Sequence, residues 1–295
     1  MDQIFGVPIQ AFMGQLMLGL VNGSFYALLS LGLAVIFGML NIVNFAHGAL
    51  YMVGAFFSWM LLNYHGVNYW AALVIVPIAV GLIGVVIEKF LLQWLQGLDH
   101  LYGLLLTFGL ALIIEGIFRE AYGSSGQPYD LPQIFKGAFD LGFMFLPKYR
   151  AWVVVAAIVA CLSTWYVIEK TKLGAYLRAG TENPNLVKAF GINVPLMVTL
   201  TYAFGVGLAG LAGVMAAPIY QVSPLMGSNI IIIVFAVVVI GGMGSILGSI
   251  ITGLALGLIE GLTKVFYAEI STTVVFIIMA IVLTFRPAGL FGREK

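Results

Sequence analysis

Long apolar runs, separated by short polar or glycine-rich stretches, set the pattern of this chain. The runs cover 12–40, 49–62, 70–92, 101–118, 151–168, 196–217, 230–240 and 272–284, with a further one opening at 250. A bilayer-spanning helix needs about 20 mostly apolar residues, and a chain in lipid must satisfy its backbone hydrogen bonds internally. The pattern therefore predicts an all-α, polytopic transmembrane helical bundle of about eight to ten spans, with broken or re-entrant segments. The first run exceeds one span and carries Asn22 and Ser24, so it reads as one tilted helix or a broken pair. Residues 217–229 hold Pro218 and Pro224 but no charge, which fits a loop or a re-entrant segment lining a cavity. Residues 119–150 form the longest polar connection, an extramembrane loop with turns at Pro128 and Pro132.

One stretch departs from this pattern. Residues 168–195 carry six charged side chains: Glu169, Lys170, Lys172, Arg178, Glu182 and Lys188. Within it lies a short helix with both ends written in sequence. Asn183 suits the N-cap and Pro184 the first helical position, where a missing N–H does no harm. Gly191 stands where a left-handed residue ends a helix. Residues 184–190 would make a rod of roughly 10 Å, too short to be stable alone in water, so something should hold it. It reads either as a solvated loop or as a docking helix presented to a soluble partner.

Composition narrows the class. At 62% hydrophobic and 8% charged residues, with mean hydropathy +1.08, the chain is no ordinary soluble domain. A net charge of +1 and thinly scattered basic residues suggest no nucleic-acid partner. The single Cys161 excludes an intrachain disulfide, and His47, His65 and His100 are too dispersed for a metal site. Basic residues Lys170, Lys172, Arg178 and Lys188 place the central stretch in the cytoplasm by the positive-inside rule, and Arg286, Arg293 and Lys295 agree. Counting outward gives about nine crossings, with the N-terminus outside and the C-terminus in the cytoplasm.

Candidate chemistry is sparse. No GxxxxGK[ST] phosphate loop occurs, so the chain is not expected to bind ATP or to be an enzyme. Gly123-Ser124-Ser125-Gly126 matches a serine-protease string, but it sits in a turn-rich polar loop. An ion-coupled secondary transporter would need an acid near mid-membrane, whereas Glu115 and Glu260 lie near span ends where water is in reach. Asn41, Asn44 and His47 interrupt the apolar pattern together, which marks them, with Ser223, as candidates for a wet translocation pathway. The competing account of the first three is a hydrogen-bonded helix break. Gly253, Gly257 and Gly261 recur every four residues and offer one flat face for helix packing, as Gly19 and Gly23 do earlier.

Three segments resemble one known family: GSFYALLSLGLAVIFGMLNIVNFAHGALYMVGA (23–55), TKLGAYLRAGTENPNLVKAFGIN (171–193) and GGMGSILGSIITG (241–253). They are similar to permease subunits of branched-chain amino acid ABC importers, and the similarity runs through nearly the whole chain. The resemblance implies a single transmembrane permease domain over 1–295 in a bacterial-type inner membrane. It also implies a homologous second permease, two cytoplasmic ATPases that bind ATP and Mg, and an extracytoplasmic substrate-binding protein. The family's cytoplasmic loop docks into the ATPase. The matching positions lie within about 169–195 and are Glu182, Asn183, Asn185, Lys188 and Gly191. Leucine, isoleucine or valine is the expected cargo; urea, short amides and aromatic or carboxylic compounds are the alternatives that the same family serves.

Overall fold

A computed structural model describes residues 3–4, 6–40, 42–95, 97–142 and 144–292. The expected site residue Asn41 and the tail residues Arg293 and Lys295 lie outside the described residues. The chain is a helical bundle: α1 (Ile9–Leu40), α2 (Ala46–His65), α3 (Tyr69–Phe90), α4 (His100–Tyr122), α5 (Lys148–Lys170), α6 (Lys172–Glu182), α7 (Pro184–Ala189), α8 (Val194–Ala216), α9 (Met226–Gly241), α10 (Ile246–Phe266) and α11 (Thr273–Phe285). Among the described residues, six helices are long and apolar enough to cross a bilayer: α1, α3 with its extension to Leu95, α4, α5, α8 and α10. Helix α2 has 20 residues, and α9 and α11 are shorter apolar helices of 16 and 13 residues. The chain is a multi-pass membrane protein. Among the described residues the few in strands form two small antiparallel pairs, one of them joining Ala138–Asp140 to Phe145–Pro147 in the loop before α5.

The first run is a single helix. Asn22 and Ser24 do not break α1, because the Ser24 hydroxyl donates back to the Leu20 carbonyl at 2.8 Å, a bond made within the helix itself. Helix α2 starts at Ala46, three residues before its apolar run, so His47 and Gly48 are helical rather than part of the connection. At Gly242 and Gly244, φ values of 98° and 84° turn the chain between α9 and α10, and glycine takes that conformation without Cβ strain.

Two helices organise the core. α8 packs on α1, α2 and α3, and glycines let the backbones meet: a Cβ on Gly205 would stand 2.7 Å from the Gly32 carbonyl oxygen. α1 also lies along α10, where a Cβ on Gly19 would come 2.5 Å from the Gly257 oxygen and one on Gly253 2.5 Å from the Ala27 nitrogen. Lipid is as apolar as leucine, so hydrophobicity cannot drive helices together there; close backbone packing can.

The two ends of the bundle differ. At one end α6 and α7 sit beside the end of α1 and the start of α8, with Gly180 against Met39 and Met197. The turn at 242–245 and the C-terminal residues join them: the Leu290 N–H donates to the Ile240 carbonyl at 2.8 Å. At the other end the 123–147 connection meets the segment after α8. Gln127 and Val222 form an antiparallel bridge, and the Tyr149 hydroxyl donates to the Met215 carbonyl at 2.9 Å.

Candidate functional site

The charged stretch folds into α6 and α7, and α7 is built as its residues dictate. The Asn183 side chain caps it by accepting from the Leu186 N–H at 3.0 Å. Pro184 fills the first position, and Gly191 follows the C-cap Phe190 with φ of 79°. The stub is six residues long and is held from below by buried Val187 and by the adjoining start of α8. Glu182, Asn185 and Lys188 are exposed around it. So are two apolar side chains that sequence reasoning passed over: Leu186 at 54% and Phe190 at 77% exposure, one turn apart on α7 and its cap. Arg178 fastens the mount, donating to the Ile168 carbonyl at 3.1 Å and reaching Glu169 at 3.4 Å.

The polar interruption at 42–48 is stitched to its neighbours. Asn44 Nδ2 donates to the Tyr202 hydroxyl at 3.0 Å, and the Phe45 N–H donates to Thr107 Oγ1 at 3.1 Å. His47 is wholly buried; its Nε2 lies 3.1 Å from the Leu29 carbonyl oxygen. Gly32 makes room for the ring, since a Cβ there would stand 2.9 Å from the imidazole. Among the described residues, Asn44 Oδ1 and His47 Nδ1 are buried without a hydrogen-bond partner.

Ser223 lies apart from that cluster. It lines a cavity of about 320 Å³ between α1, α2, the 217–225 segment and α9, in the half of the bundle away from α7. The segment that reads as a loop or re-entrant piece is thus a cavity wall. Asn22, Tyr220, Gln221 and Asn229 line the same space, and none of the lining residues is charged. Asn22 accepts from the Tyr220 hydroxyl at 2.7 Å. The wall also includes Tyr51, one turn beyond His47 on α2. The structure therefore joins Ser223 to Asn22 and Tyr220, while Asn44 is bonded to α8 and His47 to α1, with Phe45 between them bonded to α4.

Three acidic residues of the spans, Glu260, Glu115 and Glu88, have polar partners. Glu260 is only 2% exposed rather than turned to water; it accepts from the Tyr26 hydroxyl and from Lys264 Nζ, both at 2.7 Å. Glu115 pairs with Arg119 and accepts from the Ser228 hydroxyl at 2.8 Å, tying α4 to α9. Glu88, which in sequence merely closes a run, is buried and accepts from the Thr199 hydroxyl at 2.6 Å, joining α3 to α8. The spacing of these pairs, 111 residues for Glu88 and 234 for Glu260, leaves no local signal for them. Gly253, Gly257 and Gly261 form the α10 side of the contact with α1, facing Ala27, Gly23 and Gly19.

Curated relatives match from end to end. The permease protein LivH of the high-affinity branched-chain amino acid transport system of Escherichia coli K12 is 28% identical, covering 96% of each chain. BraD, the corresponding permease protein of Pseudomonas aeruginosa, is 28% identical over 97% of this chain and 98% of its own. LivM of E. coli K12, a second permease protein of that transport system, is 26% identical over 92% of this chain and 68% of its own. No solved structure matches the chain. The model of the branched-chain amino acid transport system / permease component family matches residues 15–283, and the chain belongs to that family.

Proposed function

We propose that this chain is the translocation subunit of an ATP-driven importer that takes up branched-chain amino acids from the extracytoplasmic side. The observation that carries the reading is the unbroken likeness, over nearly the full length, to permeases of branched-chain amino acid transport. In this reading residues 1–295 form one transmembrane permease domain in the cell inner membrane. It pairs with a homologous permease, of which the likeness to both LivH and LivM is a hint. An extracytoplasmic binding protein delivers the solute, and two cytoplasmic ATPases hold the ATP and Mg.

The coupling element is the 169–195 segment. Asn183 and Gly191 keep α7 helical, so that push or rotation is transmitted rather than absorbed by fraying. Leu186 and Phe190 supply apolar contact, and Glu182, Asn185 and Lys188 frame them with polar groups. Such an arrangement, an apolar centre with a polar rim, is that of a protein docking surface. With α7 in the cytoplasm, α1 begins outside and the C-terminus lies inside. Closure of the ATPases would move α7 with α6 and α8, and the spans would tilt as rigid bodies around the pathway.

The test is co-purification from gently solubilised native membranes with the bound proteins identified by mass. An ATPase and a second permease should accompany the unaltered chain, and Lys188→Glu should release the ATPase. A chain that comes down without an ATPase, or a Lys188→Glu chain that retains it fully, would overturn the coupling role.

A further inference from the structure

Two of the tyrosines that line the cavity beside Ser223 have hydroxyl protons already committed. They are Tyr26 and Tyr220. The Glu260 carboxylate, paired with Lys264, can only accept, so the Tyr26 proton points to Glu260 Oε2 across 2.7 Å. The Tyr220 proton likewise goes to Asn22 Oδ1 at 2.7 Å. A phenolic oxygen that has given its one proton away retains only lone pairs. Both oxygens are therefore acceptors toward anything in the cavity, and each is made more electron-rich by the bond it donates. Asn22, with its carbonyl used by Tyr220, keeps its amide N–H donors. Phe25, Met226, Ile230 and Ile233 supply an apolar wall, the last three of them from α9.

We propose that this cavity is a transit subsite for a primary ammonium group carried on a branched aliphatic body, with Tyr26 and Tyr220 as the ammonium acceptors. The inference rests on the amino-acid reading above and deepens it: the family match says nothing about where in the chain a solute pauses. Acceptors without a formal charge suit a transit site, because a fixed ion pair would hold the cargo rather than pass it on. The Glu260–Lys264 pair acts through Tyr26, orienting its hydroxyl, and is a positioning pair.

The experiment uses the complete importer in proteoliposomes, with Cys161→Ala removing the one native thiol and Ser223→Cys placing a new one in the cavity wall. Modification of that thiol by a small neutral maleimide is timed in the presence of leucine, of 3-methylbutylamine, which lacks the carboxylate, or of 4-methylpentanoate, which lacks the ammonium. Leucine and the amine should each slow modification several-fold, and the carboxylate should not. Adding either Tyr26→Phe or Tyr220→Phe should raise the amine concentration needed for half-protection by at least about tenfold, the usual worth of one hydrogen bond to a charged group. No protection by leucine or the amine would overturn the subsite, and equal protection by the carboxylate would overturn the acceptor assignment. Failure of the amino-acid reading shows elsewhere, as absent leucine uptake by the unaltered importer, so the two are told apart.

Discussion

Helices α1 and α4 are similarly apolar, yet 78% of the most apolar stretch of α1 is buried in the bundle and only 11% of that of α4. In water such a pair could not exist, because the exposed helix would have to be amphipathic. In lipid the outward face costs nothing, so apolarity no longer sorts inside from outside. Glycine content does not sort them by itself either. Gly109 and Gly116 of α4 have nothing within 4 Å of a would-be Cβ, whereas Gly19, Gly23 and Gly32 of α1 each face another backbone. What distinguishes α1 is glycine matched by glycine across the contact, with a polar tie beside it from Tyr26 to Glu260.

The sharpest way to break this comparison is Gly257→Leu. The new side chain would meet the backbone of α1 at Gly19 and Gly23, which cannot turn aside as a flexible side chain can. A loss of more than about 4 kcal/mol is expected, read as collapse of the monodisperse peak and of the melting transition in detergent. Next comes Glu260→Ala, which takes the partner from the partly exposed Lys264 ammonium and leaves the buried Tyr26 hydroxyl without its acceptor. About 1–3 kcal/mol is expected from the unsatisfied Tyr26 hydroxyl, and Glu260→Gln should recover part of it by keeping the bond from Tyr26. A Glu260→Ala protein that melts with the unaltered chain would show that the polar tie is idle.

Asn183→Ala probes a region between the two extremes, exposed like α4 but held in shape like α1. Removing the cap should cost about 1 kcal/mol, confined to α7, and hydrogen exchange at Leu186 and Val187 should rise while α8 stays protected. The smallest effect belongs to Gly116→Leu on α4. With open space around it, stability of the isolated chain should change by no more than about 0.5 kcal/mol. A loss as large as that of Gly257→Leu would erase the distinction between matched and unmatched glycines.

Local chemistry was legible in the sequence, and distant partnership was not. The α7 ends could be read because capping depends on Asn183, Pro184 and Gly191 within a few residues of each other. The spans could be read because bilayer thickness fixes their length. The flat face of Gly253, Gly257 and Gly261 was visible as a four-residue repeat, but nothing in the repeat names α1 as its neighbour. The start of α2 was misjudged by three residues because polar residues look like a break until their partners are known. His47 is helical, and its bond goes to a carbonyl 18 residues away on another helix. The cavity was half legible: its uncharged, proline-bearing wall stood out, while Asn22, Tyr26 and Tyr220 are brought together only by packing.

ATP-driven transport through this chain is tested most directly by reconstitution. The complete importer would be reconstituted in liposomes with the ATPase face outward, and labelled leucine with its binding protein trapped within. Export into the bath should then follow added ATP-Mg, stop without it, and fall to background when the chain carries Lys188→Glu. Leucine movement that needs no ATP, or that is untouched by Lys188→Glu, would contradict it.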